Sequence, residues 1–121
     1  MTRLVSVGKN IWPALKALIE KHIACNEPII FEGDGIIPEL LSFIDSSQIK
    51  SIFIFDDKDN IRDRELARQR GGTNTNLDKQ IDFSYEYGQE LKAQAEKMGL
   101  ITISASPQET LFERTKQILE N

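Results

Sequence analysis

The stretch IKSIFIFDD, residues 49–57, limits the fold most tightly, because it sets four consecutive apolar residues, Ile52 to Phe55, directly before two aspartates. A strand with one solvated face alternates apolar and polar residues, whereas an unbroken run rich in isoleucine and phenylalanine suits a strand covered on both faces, as in a parallel sheet. Two further segments read as strands, IIF at 29–31 and, as a third buried strand, LITISA at 100–105. Parallel strands need long crossovers, and segments of helical periodicity separate the three runs. The expected fold is α/β with three layers, a short, mainly parallel three-stranded sheet and right-handed crossovers.

The helical segments can be placed from their stripes and stop signals. Asn10 can cap a helix with Ile11, Leu15, Leu18, Ile19 and Ile23 on one stripe and Pro13 in its first turn. A short helix from about Pro38 would turn Leu40, Leu41 and Ile44 inward. Residues 59–70 are charged and helix-prone, and GGTNTN at 71–76 is too glycine-rich and polar to pack, so about 58–77 is expected to be a mobile, lid-like segment. A long helix should run from about Asp78 to Met98, with Ile81, Tyr85, Gly88, Leu91, Ala95 and Met98 near one face and Gly99 ending it. Ser106, Pro107 and Glu109 form a capping-box pattern with proline at the first helical position, which predicts a terminal helix from 107 to about 119.

With 121 residues, 40% of them hydrophobic and 28% charged, the chain fits one soluble globular domain over 1–121. No apolar run approaches the roughly 20 residues of a membrane helix, and the N-terminus lacks a signal-peptide pattern, so the expected compartment is the cytoplasm, with no membrane partner. A net charge of −4 gives no global basic footprint for nucleic acid, and any anion site must be local. The single cysteine, Cys25, can form neither an internal disulfide nor by itself a zinc site, and is expected to be a small buried side chain. His22 follows Ile19 by three and Leu18 by four, which places it at the edge of an apolar stripe as a packing residue. No metal site is predicted.

In parallel sheets ligands gather at the carboxyl ends of the strands. Here those ends are residues 32–35, 56–59 and 104–107. Glu32 or Asp34 could position magnesium through water or accept a proton from an attacking hydroxyl, while the glycines at 33 and 35 would let backbone approach a ligand. The same EGDG turn is equally readable as a tight turn with exposed acids. Asp56, Asp57 and Asp59 suit a solvated turn and helix start. Arg62, Arg64, Arg68 and Arg70 could bind phosphate oxygens through their forks. Yet residues 56–70 hold five acids and five bases, so surface ion pairs would account for the same pattern, and both readings stand.

The series WPAL, then PIIFEGDGIIPEL, then the arginine-rich segment, then YEYGQELKAQAEKMGLITISASPQETLFER resembles the later two-thirds of a P-loop small-molecule kinase, close to the 2-phosphoglycerate-kinase-like and other AAA-type small kinases. The likeness covers about residues 10–119. It implies an acceptor site at Glu32 and Asp34, a phosphate lid carrying Arg62, Arg64, Arg68 and Arg70, and a nucleotide-base loop at Ser104, Ser106 and Pro107, with magnesium and ATP as cofactors and a small phosphorylated ligand. The departure from the family is equally specific. A nucleotide-binding loop G-x-x-x-x-G-K-[ST] supplies backbone amides, a lysine and a magnesium-binding hydroxyl. The only Gly-Lys pair is Gly8-Lys9, with Arg3 where the first glycine should stand and Asn10 in place of serine or threonine.

Three explanations follow: a fragment, a naturally shortened relative with another role, or an improvised strand and loop in RLVSVGK. A sheet lacking the family's first strand must close the gap or borrow pairing, which predicts a homodimer or higher oligomer through the sheet or the helix bearing Trp12. Two functional expectations result. One is a truncated kinase-like binding or assembly module without autonomous phosphoryl transfer. The other is an ATP-dependent small-molecule kinase with a non-standard or intermolecular phosphate site.

Overall fold

Helix α1 occupies Thr2–Cys25, so the chain enters its first element well before Asn10. Residues 2–44, 47–68 and 76–121 are described in the structure, a computed structural model. The chain divides into two compact units, 1–50 and 51–121.

In the first unit, Asn10 is interior to α1 rather than its cap, and Pro13 lies inside the helix rather than in its first turn. Proline there cannot donate to the carbonyl four residues back, a cost that the flanking helical residues carry. The C-terminus of α1 is closed by a Schellman motif. Asn26 takes a left-handed backbone with φ of 55°, its N–H donates to the Ile23 carbonyl at 3.2 Å, and the Glu27 N–H donates to the His22 carbonyl at 3.0 Å. Asparagine fills the place glycine usually holds because its short polar side chain tolerates that conformation. His22 is half-buried and its Nδ1 donates to the Glu27 carbonyl at 3.0 Å, which ties the ring to the cap. Cys25 is exposed, contrary to the buried role expected of it, because it falls in the last residue of the helix, at the cap.

The expected first strand, IIF at 29–31, does not form. Ile29 and Ile30 are exposed, Ile30 at 83%, and the segment pairs with no strand. Apolar composition makes a strand only where a neighbouring edge is available to satisfy its amides and carbonyls. After the EGDG turn comes α2, Pro38–Leu41, with Pro38 at its start and Pro38 and Leu40 buried. Together with Trp12 and Ile37 these form the core of the unit. Leu41 and Ile44 are only half-buried.

The second unit is built as β1 (Ile52–Phe55), α3 (Lys58–Arg68), α4 (Leu77–Lys97), β2 (Ile101–Ser104) and α5 (Gln108–Glu120). The strands run parallel in the register Ile52 with Ile101 through Phe55 with Ser104. The sheet is thus two-stranded, and the three-stranded arrangement expected from the sequence is not formed, since the 29–31 run stays outside it. α4 packs on both strands and on α3. It buries Ile81, Tyr87 and Ala95, while Met98, expected on the same face, is 40% exposed. Gly99, with φ of 73°, follows the helix end, as its left-handed backbone requires. The molecule is α/β, mostly helical, with a small parallel sheet.

Candidate functional site

At the carboxyl ends of β1 and β2 the second unit concentrates polar side chains. Asp56 follows β1 directly and is buried, with 6% of its side chain exposed. Its Oδ1 accepts from the Asp57 N–H at 2.9 Å and from Asn60 Nδ2 at 3.1 Å. Its Oδ2 stands 2.9 Å from Arg64 Nη2 but accepts no aligned hydrogen bond, so this contact is one of charge. Asp57 caps α3: its Oδ1 accepts from the Asn60 N–H at 2.8 Å, and its carbonyl takes the Ile61 N–H at 3.1 Å. A carboxylate at that position also complements the positive end of the helix dipole.

Asn60 joins the two strand ends. Its Nδ2 donates to Asp56 Oδ1, to Asp57 Oδ2 at 3.2 Å and to Ser106 Oγ. Across the sheet, the Ala105 N–H donates to the Phe55 carbonyl at 2.8 Å, continuing the ladder one residue past β2. The Ser106 N–H donates to Ser104 Oγ at 3.1 Å. The Ser106–Pro107 peptide is cis.

Arg114, on α5, closes the loop from the other side. Nη1 donates to the Ser104 carbonyl at 2.7 Å, Nη2 to the Pro107 carbonyl at 2.9 Å, and Nε to Thr110 Oγ1 at 3.0 Å. The fork thus converges on main-chain oxygens that a loop between a strand and a helix would otherwise leave to water.

Of the residues anticipated from the sequence, Ser104, Ser106 and, through its carbonyl, Pro107 meet here, while Asp56, read as part of a solvated turn, is buried in the cluster instead. Ser106 does not cap α5, however. Pro107 is the N-cap and has no polar side-chain atom to cap with, while the serine hydroxyl is turned to Asn60. Arg64 belongs to the cluster as the partner of Asp56. Arg62 does not: it pairs with Asp78 of α4 at 2.9 Å. Arg68 lies 3.9 Å from Glu65 on its own helix. Residues 58–68 are regular helix packed on α4, while Arg70 and residues 71–75 lie outside the described residues.

Glu32 and Asp34 are in the first unit, both exposed, in a turn closed by the Ile36 N–H donating to the Gly33 carbonyl at 3.3 Å. Gly35 serves packing: a Cβ built on Gly8 of α1 would overlap the Gly35 carbonyl, so these two backbones meet because neither residue carries a side chain. Lys9 pairs with Glu39 at 3.1 Å.

Among the described residues, no group of three or more His, Cys, Asp or Glu side chains is placed to hold a metal ion, and no helix is long and apolar enough to cross a membrane. Asp56 and Asp57, the nearest approach to a magnesium pair, already use their oxygens on Asn60, backbone amides and Arg64. Asn60 and Arg114 were not anticipated. Asp57 and Asn60 do stand at a cap spacing, and Thr110 and Arg114 at i and i+4, but nothing local in the sequence announces that carbonyls from the next loop will converge on the guanidinium.

Fold and site together define an α/β protein with a parallel β-α-α-β-α unit whose strand ends are tied by an Asp-Asn-Ser network and an arginine clamp. No protein-family model, curated protein or solved structure matches the chain.

Proposed function

We propose that this chain is a binding and assembly module of the P-loop small-molecule-kinase type that performs no phosphoryl transfer of its own. The observation that carries the reading is the state of Gly8-Lys9, the only Gly-Lys pair in the sequence. It lies inside α1, with Gly8 buried against Gly35 and the Lys9 ammonium on Glu39. A phosphate loop works by turning successive free amides toward an anion, and amides inside a helix are committed to the turn before. The improvised strand and loop in RLVSVGK is therefore set aside, since that segment is helical.

The strand-end chemistry supports the same reading. Arg64 is paired with Asp56 and Arg114 is spent on carbonyls, while Arg62 is held away by Asp78 of α4. Such a network orders a loop and leaves little charge to offer a transferring phosphoryl group.

Calorimetric titration with magnesium ATP, with inorganic phosphate as control, tests the proposal. The expected result is no saturable heat up to millimolar nucleotide. Saturable binding in the micromolar range would overturn it in favour of a kinase with a non-standard or intermolecular phosphate site, with Glu32 and Asp34 as the acceptor residues to mutate next.

A further inference from the structure

Among the described residues the sheet has two strands, so β1 has one edge paired to β2 and no described strand on the other. A groove along β1 is lined by Phe53, Ile54, Phe55, Gly88, Leu91 and Lys92. It is small, about 20 Å³, and draws on three consecutive β1 residues and none of β2. Its α4 wall is recessed at Gly88, where an added Cβ would meet no atom within 4 Å. At the end of the groove nearest Phe55, the Lys92 ammonium sits 4.4 Å from the centre of the Phe55 ring, with Glu96 at 3.9 Å. A parallel strand with an open edge is a template for a further strand.

The same chain carries a segment suited to that edge. Ile29, Ile30 and Phe31 are β-prone, belong with Glu32 to no sheet and include Ile30, the most exposed large hydrophobic side chain among the described residues at 83%. Laid parallel to β1 with Ile29 opposite Ile52, the segment sets Ile30 opposite Phe53 and Glu32 opposite Phe55. The alternation of side chains then turns Ile30 and Glu32 to the α4 face, where Gly88 leaves room and Lys92 offers the opposite charge. The antiparallel direction would carry Glu32 away from Lys92, to the Ile52 end.

Resting on the assembly reading above, we propose that residues 29–32 of a second copy of this chain add to the free edge of β1 as a parallel third strand, exchanged reciprocally in a homodimer. The charge match of Glu32 with Lys92 selects the direction, and the exposed Ile30 is the apolar side chain that this register turns toward Gly88.

Two measurements separate the strand from the assembly. Light scattering at micromolar concentration should give twice the 13.8 kDa chain mass, returning to the single-chain mass in Ile30→Lys. A monomer in the unsubstituted chain would overturn both readings. In a Cys25→Ser background, chains with Ile29→Cys and chains with Ile52→Cys are then mixed and oxidised. A mixed disulfide in excess over the two like-with-like products is expected, since neighbours in register lie within disulfide reach. A dimeric mass with a statistical mixture of products, or with no disulfide, would overturn strand addition and leave the assembly standing. Retention of the dimer in a folded Ile30→Lys chain would do the same.

Discussion

Replacing Arg114 by alanine tests whether the loop after β2 is held by its own side chains. The guanidinium makes three well-formed hydrogen bonds, to the carbonyls of Ser104 and Pro107 and to Thr110 Oγ1, at 2.7, 2.9 and 3.0 Å, and a longer one to the Ala105 carbonyl at 3.5 Å. A hydrogen bond from a charged donor contributes about 1.5–3 kcal/mol. Arg114 is half-exposed, and water can take over part of each bond when the side chain is gone. Discounting each bond to about 1 kcal/mol gives a loss of roughly 2–3 kcal/mol, which for a unit of this size is on the order of 10 °C in Tm. Urea unfolding followed by far-ultraviolet circular dichroism measures it. Arg114→Lys keeps the charge but offers a point donor that cannot span three acceptors, so it should recover less than half of the loss. A change within about 0.5 kcal/mol for Arg114→Ala, the range of an ordinary surface substitution, would refute the clamp.

Asp56→Ala should destabilise by about 2 kcal/mol in the same assay, because it strips acceptors from Asn60 and the Asp57 amide and leaves Arg64 without its partner. Asp56→Asn, which keeps one carbonyl acceptor, should lose less. The two interior glycines should respond with opposite signs. Gly88→Ala should stabilise by about 0.5–1 kcal/mol, since the helix gains alanine and the added methyl meets nothing. Gly8→Ala should cost about 1–3 kcal/mol despite the same gain in propensity, because its methyl runs into the Gly35 carbonyl.

The elements legible in the sequence were those whose limits are set by local chemistry. α4 was expected from Asp78 to Met98 and spans Leu77–Lys97, because Gly99 supplies the left-handed residue that a helix end favours. α5 was expected from 107 and begins at Gln108, because proline fixes the start, although the serine assigned to the cap was drawn to Asn60. β1 and β2 appeared where unbroken apolar runs meet small or acidic residues. The failures required non-local information. The IIF run has strand composition, but a strand forms only where another edge is brought beside it, and α1 begins before its apparent cap and carries Gly8 against Gly35, a contact that no window of sequence contains. Tyr87 was missed as a core residue because it lies off the stripe of Ile81 and Ala95; its ring stacks on Phe83 at 6.1 Å between centroids. Of the site, Ser104 and Ser106 were anticipated and the arginines only partly so, since charge composition says that partners exist without saying which.

A strand end prepared for phosphoryl transfer holds cations whose partner is the ligand, because the stabilisation it offers must be delivered to charge that develops during the reaction. Here the described cations of the strand end are already engaged from within: Arg64 is paired with Asp56, and the donors of Arg114 are taken by three carbonyls. The same pairs that make the loop stable make it a poor receiver of phosphate, since binding would first have to break them. What the second unit leaves unsatisfied is of another kind. Ile54 is 52% exposed on a strand whose composition suits burial on both faces, Ile101 of β2 is 41% exposed, and no described strand pairs with the second edge of β1. Apolar surface and unpaired backbone are both relieved by adding protein, and neither is relieved by a nucleotide. The imbalance between a closed polar network and an exposed apolar strand is what the assembly proposal rests on, and a dimer would have to bury Ile54 or Ile101 to relieve it.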